Sequence, residues 1–321
     1  MAQIDNDTRL ALYRTMVKIR KFEEKVSENF LAGQIPGFIH LSIGQEAVSA
    51  GACHALKKDD YILTTHRGHG QCIAKGADIK SMMAEIFGRA TGFCKGKGGS
   101  MHLATMDVGI LGANGIVGGG IPIAVGAAFS AKYRKSGQVA VSFFGDGATG
   151  EGTFHGALNM ASIWSLPIIF VCENNGWAEF SPKPIHMDIE NVSQRAKAYG
   201  NVASEIVDGN DPEAVLAGME RAAARARKGE GPTLLECMTT RFRGHYEGDP
   251  QKYRPKEELD ALASKDAIPR YRKKLIENKI LTEESAAKID AEIAALIDET
   301  LEYAKNSPLP EIEEALKDVY V

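Results

Sequence analysis

The sequence VAVSFFGDGATGEGTFHGALNMASIW at residues 139–164 indicates the fold of this chain. Residues 139–144 form an apolar run of strand length, and residues 151–164 repeat apolar side chains at helical spacing. The glycines between these elements allow a tight turn and a close approach of the backbone to a ligand. A strand that leads directly into a helix is the building unit of a parallel sheet covered by helices.

The rest of the chain extends this pattern in both directions. Further strands are predicted at 168–172, 202–207 and 233–237, and a helix entered through Asp211 is predicted at 212–228. Residues 88–120 are crowded with glycine, which predicts loops close to a ligand or to another backbone segment. We therefore expect an α/β fold, with a parallel sheet, helices on both faces, and helical flanks at the N- and C-termini.

These elements predict a single domain over residues 1–321. Its N-terminal helix is expected at 8–32, and a C-terminal helical extension is expected from about residue 256 to residue 321. In that extension Ile289, Ile293, Ile297 and Leu301 recur every four residues and predict one buried helix face.

Composition and charge exclude several classes of partner. Lys and Arg total 38 against 42 Asp and Glu, so the net charge of −4 does not favour nucleic acid or an anionic membrane surface. The apolar stretch at 121–131 is too short to span a bilayer. Five cysteines without a CxxC pair predict reduced thiols. Together with the polar residues 1–10, these features predict a cytoplasmic protein without nucleic-acid or membrane contacts.

The glycine-rich turn at 145–152 contains a carboxylate, Asp146, where an anion would bind. A carboxylate repels phosphate unless a cation lies between them, and Mg²⁺ prefers one or two carboxylates together with phosphate oxygens. The segment ENNGWA at 173–178 ends the next predicted strand. Since the carboxyl ends of neighbouring parallel strands lie together, Asn175 can offer its amide oxygen to the same ion.

The same glycines also allow a different interpretation. Gly145, Gly147 and Gly150 fit the pattern GxGxxG, and the acidic residue Glu173 follows near the end of the next strand. An NAD-binding oxidoreductase is therefore an alternative, and it predicts NAD binding without Mg²⁺. This alternative leaves Asp146 and Asn175 unexplained.

The combination of GDG with NN at this spacing resembles the signature of enzymes that use thiamine diphosphate. The resemblance implies a thiamine diphosphate-binding fold in which Mg²⁺ is bound by Asp146, Asn175 and the backbone carbonyl of Trp177. It also places Gly147 and Ala148 at the cofactor.

Five further motifs narrow this resemblance, and they occur in a fixed order: GFIHLSIGQEA at 37–47, THRGHG at 65–70, KGKGGSMH at 95–102, GANGIVGGG at 112–120 and RFRGHYEGDPQKYR at 241–254. Over roughly residues 8–260 the chain resembles the α subunits of two-chain dehydrogenases for pyruvate, branched-chain 2-oxo acids and acetoin.

The resemblance assigns roles to further residues of this sequence. His66 and Arg67 reach the diphosphate, and the backbones of Gly115 and Val117 contact the aminopyrimidine ring. His245, on a mobile loop, contacts the diphosphate and acts as a catalytic residue beside the reacting carbon. His40 lines the entrance and is the second predicted catalytic residue. Arg and His suit these roles, because Arg gives phosphate a fixed charge and His transfers protons near pH 7.

Partners follow from the same resemblance. The carboxylic acid that activates the cofactor belongs to a separate pyrimidine-binding domain, so a β subunit is expected, in a heterotetramer of two α and two β chains. A partner acyltransferase that bears a lipoyl group would accept the two-carbon unit.

The motifs favour one substrate without fixing it. THRGHG resembles acetoin enzymes, because pyruvate members often have Tyr at the position of His66. The favoured function is C–C cleavage of acetoin with transfer of the two-carbon unit to lipoamide. Pyruvate is the alternative small-molecule substrate. A non-catalytic interaction subunit that has kept the fold is an alternative of another class.

Overall fold

A six-stranded parallel sheet forms the centre of the protein in the computed structural model, which describes residues 4–318. Residues 1–3, part of the polar start of the chain, and residues 319–321 lie outside the described range. The sheet has the order β2-β1-β3-β4-β8-β7 and all its neighbouring strands are parallel. An antiparallel hairpin, β5–β6, stands apart from it. The strands are β1 Tyr61–Thr65, β2 Ile110–Asn114, β3 Ala140–Gly145, β4 Ile168–Asn174, β5 Trp177–Ala178, β6 Ser181–Pro182, β7 Ala203–Asp208 and β8 Thr233–Met238.

Helices cover both faces of this sheet. They are α1 Asn6–Leu31, α2 Glu46–His54, α3 His69–Lys75, α4 Ile79–Ile86, α5 Gly120–Arg134, α6 Gly152–Ile163, α7 Lys183–His186, α8 Pro212–Arg227, α9 Lys256–Ala261, α10 Ala267–Glu277 and α11 Glu283–Asn306. None of the helices formed by residues 4–318 is long and apolar enough to cross a bilayer.

Side chains along each strand point alternately to the two faces of the sheet, so the core consists of two layers, one on each face. Ile169 and Val171 of β4 belong to a cluster with residues of α1, α2, α8 and α11. Ile168 and Phe170 point to the other side, where α5 and α6 cover them. Because successive side chains of a strand point to opposite faces, residues 168–172 of β4 are all apolar, which is typical of a parallel strand buried on both faces. The predicted α/β fold with helices on both faces is confirmed.

The four predicted strands and the helix at Pro212–Arg227 are confirmed with shifts of one or two residues. In the C-terminal extension, Ile289, Ile293, Ile297 and Leu301 form the buried face of α11 as predicted. The prediction of loops throughout 88–120 is wrong in part, because β2 lies within that range and α5 begins at its end. Strand β1 was also missed.

The strand order places a ligand site at one edge of the sheet. After β1 the chain adds β2 on one side of it, and β3 then pairs on the other side. Open α/β sheets bind ligands outside the carboxyl ends of the strands where the strand order reverses in this way. The segments that follow β1 and β3 are THRGHG and GDGATGEG, so both motifs meet at this point.

Candidate active site

A cavity of about 300 Å³ lies at the carboxyl ends of β1, β2, β3 and β4. It brings together the site residues that the motifs predicted, although those residues come from segments far apart in the sequence. Its lining includes His40, His66, Arg67, Gly115, Val117, Gly147, Ala148, Asn175, Trp177 and His245. Asp146 lies between the lining residues Gly145 and Gly147 and is fully buried.

The carboxylate of Asp146 is the most unusual group of the site. It is 0% exposed, and neither of its oxygens has a hydrogen-bond partner among residues 4–318. A buried carboxylate without partners is costly, because it has lost its hydration without gaining hydrogen bonds. Nearby, the imidazole Nε2 of His186 lies 3.3 Å from Asp146 Oδ2. A divalent cation would give this carboxylate the counter-charge that the protein does not.

The hairpin β5–β6 packs directly against the turn that carries Asp146. A Cβ atom added to Gly147 would lie 2.6 Å from the Cβ of Ala178. Because real Cβ contacts are not that short, only glycine allows Ala178 and the turn to approach this closely. The hairpin thereby fixes Trp177, its first residue, beside Asp146 and Asn175.

Hydrogen bonds orient the amide of Asn175. Its Nδ2 donates to Gln45 Oε1 at 2.9 Å, and its Oδ1 accepts from the backbone N–H of Trp177 at 3.0 Å. A carbonyl oxygen has two lone pairs, so Oδ1 keeps one acceptor position after this bond. The two predicted side-chain ligands, Asp146 and Asn175, therefore both retain acceptor capacity for a cation.

Arg67 supplies a fixed positive charge at the wall of the cavity. Arg67 is 5% exposed, and its Nη2 donates to the carbonyl of His245 at 2.9 Å. Burial lowers the pKa of Arg67 to about 9, and the neighbouring Arg241 adds to this effect. The side chain is still charged at pH 7, as the binding of a diphosphate requires.

Three histidines that line the cavity form a cluster. The ring centroids of His40 and His66 lie 4.7 Å apart, and those of His40 and His245 lie 5.1 Å apart. Burial, followed by the charge of Arg67, lowers the pKa of His66 to about 2, of His40 to about 3 and of His245 to about 4. All three imidazoles are therefore neutral at pH 7 in this environment.

Three polar residues that complete the site, Gln45, Arg241 and His186, were not singled out from the sequence, and Glu173 was considered only as the acidic residue of the NAD alternative. Gln45 and Arg241 line the cavity, and both belong to quoted motifs, so the signal was present. His186 belongs to no motif and reaches Asp146 only because the chain folds back after β6. Glu173 is 2% exposed and accepts a hydrogen bond from Gln71 Nε2 at 3.0 Å. Burial raises the pKa of Glu173 to about 7. A buried side chain engaged in this way is poorly suited to bind the ribose of NAD.

Comparisons with known proteins agree with this geometry. The family model of the dehydrogenase E1 component matches residues 14–313. The α subunit of acetoin:2,6-dichlorophenolindophenol oxidoreductase from Bacillus subtilis is 50% identical over 316 residues, which cover 97% of this chain and 93% of that protein. The corresponding subunit from Cupriavidus necator is 46% identical over 99% of this chain and 96% of that protein.

A third relative is named for a different substrate. The chloroplastic pyruvate dehydrogenase E1 component subunit alpha-3 of Arabidopsis thaliana is 40% identical over 99% of this chain and 75% of that protein. The family match and these near-complete alignments confirm the resemblance inferred from the motifs, and the chain belongs to the dehydrogenase E1 component family.

Proposed function

We propose that this chain is the α subunit of a thiamine diphosphate-dependent dehydrogenase that cleaves acetoin and passes the two-carbon unit to lipoamide. The observation that carries the choice of substrate is the identity of 50% and 46% to two acetoin oxidoreductase α subunits, against 40% to the pyruvate dehydrogenase subunit. The family implies thiamine diphosphate as the cofactor. Pyruvate is the alternative substrate that the experiments below distinguish.

The cavity fits this cofactor and a Mg²⁺ ion. Asp146 and Asn175 would bind the ion through their side chains, and Trp177 would bind it through its carbonyl oxygen. The unpartnered oxygens of Asp146 support this assignment, because hard carboxylate and amide oxygens are the ligands Mg²⁺ takes in proteins. Arg67 and His66, with the backbone at Gly147 and Ala148, would hold the diphosphate. Gly115 and Val117 would contact the aminopyrimidine ring.

The bound cofactor would supply the nucleophilic chemistry that breaks the C–C bond, and the residues of this chain would position the reactants and move protons. His245 would act beside the reacting carbon, with His40 at the entrance. Their neutral imidazoles can accept a proton, although a pKa of about 4 makes His245 a weak base. A bound diphosphate would compensate the charge of Arg67, which after burial is the largest cause of the low pKa of His245.

An exposed apolar surface on α5, which begins at the cavity, and on α6 supports a β partner. Six side chains of α5, α6 and the residue after α6, here called the α5–α6 face, are between 42% and 80% exposed: Ile123, Phe129, Tyr133, Met160, Ile163 and Trp164. The ring centroids of Phe129 and Trp164 are 5.4 Å apart, so the apolar side chains of the two helices meet there. Ile116 and Val117 are also exposed at the rim of the cavity. Contiguous apolar surfaces of this kind are typical of subunit interfaces.

We infer that the β subunit covers the α5–α6 face, closes the cavity and provides the carboxylic acid that activates the cofactor. Two α and two β chains would form the complete enzyme, and an acyltransferase bearing a lipoyl group would take the product. A cytoplasmic location is part of the proposal. All five cysteines are free thiols and four are buried, which suits a reducing compartment.

Reconstitution tests this function. Purified chain, its β partner, or both are mixed with Mg²⁺ and thiamine diphosphate, and acetoin-dependent reduction of dichlorophenolindophenol is followed. The proposal expects activity only with both chains and both cofactors present. Turnover by this chain alone would contradict the shared active site, and a complete mixture that is inactive with acetoin and with pyruvate would support the non-catalytic alternative.

A further inference from the structure

The side chain of His186 faces the predicted metal ligand Asp146 from outside the motifs of the family. Its Nε2 atom is buried, lies 3.3 Å from Asp146 Oδ2, and has no hydrogen-bond partner in the part of the chain that the structure describes. The contact is close, but its geometry is not that of a hydrogen bond. Two buried polar atoms that face each other without bonding are costly unless a third atom joins them.

The β5–β6 hairpin and α7 position His186 beside Asp146. After Asn175 the chain forms the β5–β6 hairpin and then α7, which ends at His186. The backbone N–H of Lys183 donates to the carbonyl of Gly176 at 2.8 Å, which ties α7 to the segment that carries Asn175. Directly after His186, the side chain of Met187 is buried and belongs to the core cluster that also contains residues of α5 and α6. The position of the imidazole is therefore fixed at both ends of α7.

The distance between the two atoms fits two ligands of one metal ion. Ligand atoms bound at about 2.1 Å and separated by an angle of about 90–110° lie roughly 3.0–3.5 Å apart. The observed 3.3 Å falls within this range. A histidine nitrogen is a common ligand for transition metals, whereas Mg²⁺ strongly prefers oxygen.

We propose that His186 is a nitrogen ligand of the divalent ion held by Asp146. Compared with a site made only of oxygen ligands, this site therefore has a stronger preference for Co²⁺ or Mn²⁺ over Mg²⁺. The inference rests on the metal site of the proposed function and extends it. Transition ions bind mixed nitrogen and oxygen sites more tightly than Mg²⁺ does, so removal of the nitrogen ligand must act selectively on their affinity.

The test uses the complete complex with the β partner, stripped of metal and saturated with thiamine diphosphate. Calorimetric titrations measure the affinities for Co²⁺ and for Mg²⁺ in the wild type and in His186→Ala. We expect the substitution to weaken Co²⁺ binding roughly tenfold or more and Mg²⁺ binding less than about threefold. The matched control is His54→Ala, at the exposed end of α2, which leaves both affinities unchanged. An equal loss for both ions, or no loss for either, overturns the inference.

Two further measurements distinguish a failure of this inference from a failure of the proposed metal site. Asp146→Ala must lose affinity for both ions. If it binds them as the wild type does, the metal site itself is wrong. If Asp146→Ala loses them but His186→Ala keeps the wild-type preference, only the inference fails. Electron spin echo spectra of Mn²⁺ in the wild type need no variant: coupling to an imidazole nitrogen supports the inference, and its absence overturns it.

Discussion

Replacement of Asp146 by Asn should stabilise the protein when metal is withheld and abolish its stabilisation by ligands. The wild-type carboxylate is fully buried and has no hydrogen-bond partner among residues 4–318. Removal of an unpaired buried charge should raise the free energy of unfolding by about 1–3 kcal/mol. For a chain of 321 residues this corresponds to an increase of about 2–5 °C in melting temperature.

When ligands are bound, the wild type should become more stable than Asp146→Asn. At about 1000 times their dissociation constant, Mg²⁺ and thiamine diphosphate should stabilise the wild type by about 4 kcal/mol, and Asp146→Asn by far less. The assay is thermal unfolding of the complex with its β partner, with and without both ligands.

Asp60→Asn is the matched control for this experiment. Asp60 is equally buried, but it pairs with Arg227 and accepts hydrogen bonds from two backbone N–H groups. Asp60→Asn should therefore be destabilising, while its response to ligands persists. A destabilised Asp146→Asn, or one that ligands stabilise as they do the wild type, would refute the reasoning.

Three other predictions concern the surroundings of this site. The pKa of His66 is lowered from an ordinary 6.5 to about 2, so the folded protein should lose stability as the pH falls below about 6.5. Between pH 7 and pH 5 this residue should lower the free energy of unfolding by at most about 2 kcal/mol. Denaturant titrations should show a smaller loss in His66→Tyr. Gln45→Ala should weaken Mg²⁺ binding roughly tenfold, because Gln45 orients Asn175. Gln45→Glu keeps the acceptor oxygen and should weaken Mg²⁺ binding less. Calorimetry measures both affinities, and equal losses in the two variants would contradict the role of this hydrogen bond. Phe129→Asp on the α5–α6 face should weaken assembly with the β subunit by at least about tenfold in a sedimentation experiment, and an unchanged assembly would place the interface elsewhere.

The sequence predicted the sheet well wherever strands are apolar on both faces. β4 begins directly after Pro167 with the apolar run IIFVC, so its start is visible in the letters alone, whereas its last two residues, Glu173 and Asn174, are polar and lay outside the predicted strand. β2 was missed because it reads ILGAN, with a glycine and a terminal Asn that are typical of loops. It forms a strand because β1 lies beside it, which is a tertiary effect that local patterns do not report.

The positions of Asp146 and Asn175 could be predicted from the sequence, whereas that of His186 could not. Asp146 and Asn175 follow neighbouring parallel strands, so topology brings them to one edge of the sheet, and their positions could be foreseen. The approach of His186 depends on the hairpin and on the burial of Met187, neither of which has a sequence signature. The structure brings the predicted residues together at one cavity, while their roles in binding and catalysis stay predictions.

The measurement that tests the central claim most directly is the ratio of kcat/KM for acetoin to kcat/KM for pyruvate. It is made on the reconstituted complex of both chains with Mg²⁺ and thiamine diphosphate, with dichlorophenolindophenol as the electron acceptor. We predict a ratio well above one, with activity that depends on both cofactors. A ratio below one would keep the site but identify pyruvate as the substrate, and would contradict the interpretation of THRGHG and of His66 as marks of an acetoin enzyme.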